Sequence, residues 1–393
     1  MDELTAWLAD PDPVTFPYAQ VLAGFHRTGK HFVADRTLQW LAMARDAVPG
    51  TSTAADRLVR WLDVLLDKWD GRYDYRSYLA LRLLAIPTAG STTPYLEQRD
   101  RLVAGLLGDV LGFEHDAADG RTEFLPQMRP GADIVAKRHR LGLKVAVPAL
   151  ARLGGGPVTT GLELRATMRR LLTDDEIQSI ALSILPVYVS HDEYLFIRVL
   201  QIFETTFAML VLELRAGVAA LDAGAWTAAA DRVTVAAQVL TESAPTFSLL
   251  ATMQVESFRT FRRFTEGASA IQSRNYRLLE SLCRLPDDER LSSAAFDNTP
   301  EVRDEVLAGL RTLEQAYTEA VGRNPPPDAE PAVAAFRTFA AAVRRWRQTH
   351  YRLAVRMIGD RTGTGYTEGT PYLSEVRKIP VFLRPDLDVP PVS

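Results

Sequence analysis

The chain has 393 residues, of which 47% are hydrophobic and 24% charged, with a formal net charge of −4. That is ample for a large apolar core, while the slight acidity supplies no basic field for a nucleic-acid partner. A single cysteine, Cys283, excludes an intrachain disulfide framework and a multi-cysteine metal site.

The opening Met1-Asp-Glu-Leu-Thr lacks a basic n-region and an apolar segment, and no stretch reaches 18 uninterrupted apolar residues. A cytoplasmic protein without a membrane partner is expected. Strand signals are scarce and helix-period segments recur, so the fold class expected is all-α. Residues 1–33, with Pro11, Pro13 and Pro17, read as irregular. Amphipathic helices follow over Ala34–Val48 and Thr53–Trp69, and an aromatic then leucine-rich segment runs from Tyr73 to Ala85. Tyr95–Phe113 resumes a helix. Residues 115–131 are the clearest loop, and Gly154-Gly-Gly-Pro157 is the next break.

Thr173-Asp-Asp-Glu176 has the pattern of a capping box that opens a helix over Ile177–Leu185. Ser190, with Glu193 three residues on, has the same pattern. The helix it opens lines up Phe196, Leu200, Phe203 and Phe207, with Arg198 and Glu204 away from that row. Phe258, Phe261 and Phe264 alternate with Arg259, Arg262 and Arg263 before Glu266-Gly-Ala-Ser269 interrupts the helix. These arginines suit either a carboxylate clamp or a solvated surface run whose stems cover apolar residues. Arg274–Leu285 reads as a helix, residues 287–298 as a polar connection and Thr299–Gly322 as one more helix.

The last long helix carries Phe336, Phe339, Val343, Trp346, His350, Leu353 and Met357 at steps of three or four. Arg337, Arg344, Arg345, Arg347, Arg352 and Arg356 fall on its other faces. His350 stands where a large apolar residue is expected. It is either a core histidine bonded to a backbone carbonyl or a neutral imidazole ligand in an apolar wall. A lone histidine suits haem, which brings four ligands of its own, far better than zinc. Gly359, Gly363, Gly365 and Gly369 follow, as in a backbone that bends closely around something bulky. The tail after Tyr372 carries Pro380, Pro385, Pro390 and Pro391 and reads as extended.

Three of these stretches together resemble the tryptophan 2,3-dioxygenase superfamily of histidine-ligated haem enzymes. They are His191-Asp-Glu-Tyr-Leu-Phe-Ile with Gln201 and Glu204; Phe261-Arg-Arg-Phe with Gly267-Ala-Ser-Ala-Ile-Gln-Ser and Tyr276-Arg-Leu-Leu-Glu280; and His350-Tyr with Arg356-Met-Ile-Gly and Gly363-Thr-Gly-Tyr-Thr-Glu-Gly369. Tyr75–Leu84 is a weaker echo of an early family helix. The resemblance implies a single haem-binding helical-bundle domain over residues 1–393, with 86–190 as a family-divergent insertion. It implies haem b as cofactor, His350 as the proximal iron ligand, and Trp346, Phe196 and Leu200 as further cofactor contacts. Phe196 and Phe258 would wall the substrate pocket, Arg262 would clamp an amino acid's carboxylate, and Thr364 and Gly365 would belong to the closing loop. Partners implied are an aromatic amino acid and O2 or peroxide, in a dimer or tetramer.

Two departures qualify the resemblance. Leu200 stands where the dioxygenases have a distal histidine, and Tyr366 and Glu368 alter the glycine loop. The first, with the long insertion, is closer to the divergent branch that contains the pyrrolnitrin-pathway enzyme, which implies secondary metabolism. The function expected is therefore haem-dependent oxygenation of L-tryptophan or a related aromatic amino acid, without the standard ring opening. A non-catalytic haem-binding sensor on the same scaffold is the alternative.

Overall fold

The computed structural model describes residues 2–323, 330–359 and 369–388. The expectation of an all-α fold holds: helices succeed one another, and among the described residues extended pairing is limited to one isolated bridge, Gln127 to Ser190. The chain forms two compact units. The first comprises Met1–Ala85, Asp100–Ile202 and Thr252–Ser269, and the second Ile86–Arg99, Phe203–Ala251 and Ala270–Ser393.

In the first unit the N-terminal residues are helical, not irregular. Asp2–Ala9 and Tyr18–Thr28 flank the prolines. Leu4, Trp7, Val21 and Phe25 give these segments an apolar face, which packs with Leu58, Trp61 and Leu62 of the Thr53–Leu65 helix. Burial of that face outweighs the proline signal, which acts only between the helices. Trp61 anchors the cluster to a later element by donating its indole N–H to the Leu182 carbonyl at 3.1 Å.

The Tyr73–Ala85 segment is not one helix. Asp74 and Ser77 cap a single turn, Tyr75–Tyr78, and Ala80 turns left-handed (φ +48°) before a short 3-10 turn, Leu81–Leu83. The next helix runs further than expected, Tyr95–Ala118, so the predicted loop begins after Ala118. The Thr173–Glu176 capping box forms as expected and opens Asp174–Leu182.

Gly29 shows how tightly this unit is closed. Its φ of +85° and ψ of +142° belong to a region only glycine occupies readily, and a Cβ there would stand 2.7 Å from the Val187 carbonyl oxygen. Gly29→Ala is therefore expected to lower stability by roughly 2–4 kcal/mol in urea unfolding. An unchanged midpoint would show that this backbone approach is not needed.

In the second unit the Glu330–Ile358 helix packs along Trp226–Glu242. Both contact faces are rich in small residues, with Ala229, Ala230, Ala236 and Ala237 on one and Ala332, Ala335 and Ala342 on the other, so the backbones come close. The predicted Thr299–Gly322 helix is two, Pro300–Leu307 and Leu313–Arg323, interrupted where Gly309 takes φ +93°. The polar connection at 287–298 contains two helical turns, Asp288–Leu291 and Ala294–Asp297, which bury Phe296.

As far as Asp388 the C-terminal tail is held in place rather than loosely extended. Thr370–Val376 is helical, and Val381, Phe382 and Leu387 are buried. Arg347 is the clearest correction to the helical wheel. It is buried, donating to the Tyr276 hydroxyl at 3.0 Å and the Ile379 carbonyl at 2.6 Å, because the tail covers a face that periodicity leaves to solvent.

The Asp192–Asp222 helix belongs to the first unit through Ile202 and to the second from Phe203. Among the described residues it alone is long and apolar enough to cross a membrane by length and composition, but its most apolar window is 89% buried within the fold.

Candidate functional site

The N-terminal part of the Asp192–Asp222 helix carries the first group of candidate residues. From Ser190 to Val211 every residue is buried except Phe196 and Leu200, one turn apart on the same side of the helix. A buried helix with two apolar side chains left half-open has a window in its packing at that point. Phe196 lies 5.7 Å from Phe258 and 5.4 Å from Phe261, ring centre to ring centre, so these side chains form one aromatic face in the first unit. Phe258 and Phe261 come from the Val255–Arg262 helix. Arg262 is its last residue and is half-buried, whereas Arg263 is exposed.

Ser190 does not form the predicted capping box. Its hydroxyl pairs with that of Ser257 at 2.6 Å, and Glu193 reaches back to accept the N–H groups of Val187 at 2.7 Å and Tyr188 at 3.1 Å. The Glu193 carboxyl group thereby satisfies the turn that enters the helix, and that role wins over the local cap.

The second group lies in the second unit, on the Glu330–Ile358 helix. Phe336, Phe339, Val343 and Met357 of the predicted stripe are buried, but Trp346, His350 and Leu353 are only half-buried. Trp346 is enclosed by aromatic rings: Tyr276 at 5.0 Å, Phe207 at 5.2 Å, Phe247 at 5.4 Å and Phe203 at 5.7 Å. The His350 ring lies 5.2 Å from Trp346 and is stacked at 6.2 Å from Phe247.

Among the described residues no hydrogen bond engages the His350 imidazole, so the reading as a core histidine tied to a carbonyl has no support there. Burial pulls its pKa down from 6.5 to about 4, with no neighbouring charge opposing. The ring is therefore neutral at pH 7, with a nitrogen lone pair available.

Thus the structure brings Phe196 together with Phe258, and Trp346 together with His350. Arg262 and Leu200 sit on the same two helices as Phe196 and Phe258. Thr364 and Gly365 lie outside the described residues, as do Tyr366 and Glu368.

Sequence reasoning missed a buried charged hub beneath the first group. Arg138, His191, Asp192 and Glu114 meet there, all essentially inaccessible to solvent. The His191 ring nitrogen Nε2 lies 3.2 Å from Glu114, and the ring stacks on Phe113 at 4.9 Å. Burial alone would raise the Glu114 carboxyl, but the His191 and Arg138 donors hold it below its usual range. Arg138 stands in Lys137-Arg-His-Arg140, which reads as a surface run, so nothing local in the sequence marks it.

A neutral imidazole that no hydrogen bond engages among the described residues, set beside Trp346 and Phe247, suits a ligand that brings most of its own coordination. The comparisons name the family. Residues 172–318 match the tryptophan 2,3-dioxygenase family. The chain is 29% identical over 228 residues to the tryptophan 2,3-dioxygenase of Anaeromyxobacter sp. (strain K), covering 50% of this chain and 85% of that protein. It is 29% identical over 230 residues to that of Anaeromyxobacter dehalogenans (strain 2CP-C), with the same coverage. The Polaromonas naphthalenivorans (strain CJ2) enzyme is 27% identical over 243 residues, covering 51% of this chain and 86% of the relative. Over residues 172–318 the chain is thus similar to the tryptophan 2,3-dioxygenase family, and it aligns with these dioxygenases over about half its length.

Tryptophan 2,3-dioxygenases are haem-dependent, so haem b is the cofactor that this chain's residues have to fit. They do fit. The neutral imidazole of His350, free of hydrogen bonds among the described residues, would suit an iron ligand, and the half-open Trp346 and Leu353 would give the apolar contact a macrocycle needs.

Proposed function

We propose that this chain is a haem-dependent oxygenase of L-tryptophan or a closely related aromatic amino acid. The observation that carries the reading is His350: a neutral imidazole without a hydrogen-bond partner among the described residues, on an otherwise apolar stripe. Haem would supply the redox-active iron that insertion of oxygen into an aromatic ring requires. His350 would hold that iron, and Trp346 would pack beside the macrocycle.

Phe196 and Phe258 would receive the aromatic side chain, since offset aromatic contact favours flat rings over aliphatic ones. Arg262 would bind the carboxylate through parallel N–H donors, fixing the orientation of the ring. Thr364 and Gly365 would close over the amino acid. O2 is the expected co-substrate, with peroxide a second oxidant to test.

Leu200 at the distal position would bear on the kind of oxygenase. At that position the chain has no side chain able to take or give a proton, so any proton movement there depends on the substrate itself or on groups outside this helix. A product other than the ring-opened N-formyl compound is therefore expected. Leu200 also favours a second reading, a haem-binding sensor without turnover, because an apolar wall suits passive ligand binding. The proposal further includes a single haem-binding domain spanning 1–393, with 86–190 as an insertion, and self-association as a dimer or tetramer.

The test is an absorption titration. Purified protein loaded with haem should show a Soret band that shifts on adding L-tryptophan, and O2 or peroxide should then yield an oxygenated product by mass spectrometry. A shift without product under both oxidants supports the sensor. Failure to take up haem at all removes both readings.

A further inference from the structure

The helices that carry Phe196 and Phe258 start from one buried ionic junction, and its central residue comes from neither. Asp192, the first residue of the Asp192–Asp222 helix, accepts Arg138 Nη2 at 2.6 Å on Oδ1. Its Oδ2 accepts the backbone N–H of Gln254, the N-cap of the Val255–Arg262 helix, at 2.7 Å. Arg138 also donates Nε to the Thr252 hydroxyl at 3.0 Å and Nη2 to the Thr252 carbonyl at 3.3 Å. Its Nη1 binds Glu114 Oε1 at 2.7 Å. One guanidinium thus holds the segment entering the Phe258 helix and the first turn of the Phe196 helix together. The Ser190–Ser257 hydrogen bond ties the same two starts a second time.

Arg138 lies on the Ala132–Arg152 helix, and Glu114 on Tyr95–Ala118; both residues fall outside the segment that matches the family. We propose that Arg138 is a positioning residue for the aromatic pocket: from outside the family segment it sets the Phe196 helix against the Phe258–Arg262 helix, and so determines affinity for the amino acid. This rests on the oxygenase reading above.

The geometric argument is direct. Asp192 precedes Phe196 by one turn, and Thr252 precedes Phe258 by six residues of cap and helix, so a slip at the junction passes straight into the separation of the two rings. Only a planar fork can bridge these partners at once. A lysine retains the charge but has a single nitrogen, and must abandon some of them.

The experiment compares wild type, Arg138→Lys and the milder Thr252→Val, each loaded with haem and titrated with L-tryptophan. Arg138→Lys should weaken L-tryptophan binding by about tenfold or more and Thr252→Val by a few-fold, while haem affinity changes by less than about twofold. Amide hydrogen exchange should quicken in 190–202 and 252–262 without a general rise. Unchanged L-tryptophan affinity in a folded Arg138→Lys protein overturns the proposal. A parallel loss of haem and amino-acid affinity with exchange raised throughout also overturns it, since that is a general loss of stability. If Arg138→Lys fails to fold, the Thr252→Val comparison decides. If wild type takes up haem yet ignores L-tryptophan, the substrate reading fails, and the exchange pattern alone decides whether Arg138 holds the two helices.

Discussion

Replacing His350 with alanine is expected to abolish the Soret band of the haem-loaded protein while the haem-free chain folds as before. The two halves of this expectation have separate causes. The imidazole makes no hydrogen bond among the described residues and is only half-buried. Its removal therefore deprives no partner and leaves no closed cavity, a loss of about 1 kcal/mol or less. As an iron ligand, by contrast, it has no substitute on its stripe, where Trp346 and Leu353 offer no lone pair. Added imidazole should partly restore the band in His350→Ala by occupying the vacated space. A Soret band of wild-type position and intensity in the variant would remove His350 from the coordination sphere.

The same residue gives a pH signature. In the folded chain burial lowers the imidazole pKa to about 4, against 6.5 for the free side chain. As pH falls the unfolded chain takes up the proton first, so His350 contributes stability that is full above about pH 6.5 and lost as pH falls through about 4. The neutral form, the one able to ligate iron, therefore persists well into acid, and haem retention should be level from pH 8 to about 5 and fail near 4. In haem-free protein, His350→Leu should make stability less sensitive to acid over that interval. Identical acid profiles for the variant and wild type would show that the imidazole is not held neutral by burial.

His350, Phe196 and Leu200 were legible in the sequence because each sits on a long helix whose periodicity is unambiguous. One helical turn is enough to place a side chain on the inner stripe. What periodicity does not give is the degree of closure. The half-open state of Phe196, Leu200, Trp346 and His350, set in otherwise buried rows, is a tertiary property. Arg347 failed the wheel, and Arg138 drew no notice in the sequence, for a related reason. A helix face reads as solvent-exposed until another segment covers it, and the covering segments here are distant: the tail at Ile379 for Arg347, and Asp192 and Thr252 for Arg138. The N-terminal helices were masked by Pro11, Pro13 and Pro17, whose local signal is strong but ends within a residue or two. The family resemblance passed through these gaps because it rests on residue order rather than on burial. It singled out Arg262 as a candidate clamp where spacing alone favours a surface arginine.

Arg262→Ala should weaken L-tryptophan binding by about 3 kcal/mol, on the order of 100-fold in Kd, with haem affinity unchanged. The size follows from the chemistry of the contact. A carboxylate held by a guanidinium in a site walled by Phe196 and Phe258 loses its water on binding, and without the guanidinium nothing comparable replaces that hydration. Arg263, one residue on, is exposed, and Arg263→Ala should leave affinity within about twofold because an ion pair in water contributes little. Tryptamine separates the carboxylate from the ring. It keeps the indole and lacks the carboxylate, so its weaker binding should be the same in wild type and Arg262→Ala. If tryptamine loses as much as L-tryptophan, Arg262 shapes the aromatic face and does not hold the carboxylate. If neither ligand loses affinity, the clamp lies elsewhere, and half-buried Arg259, one helical turn earlier on the same helix, is the next residue to replace.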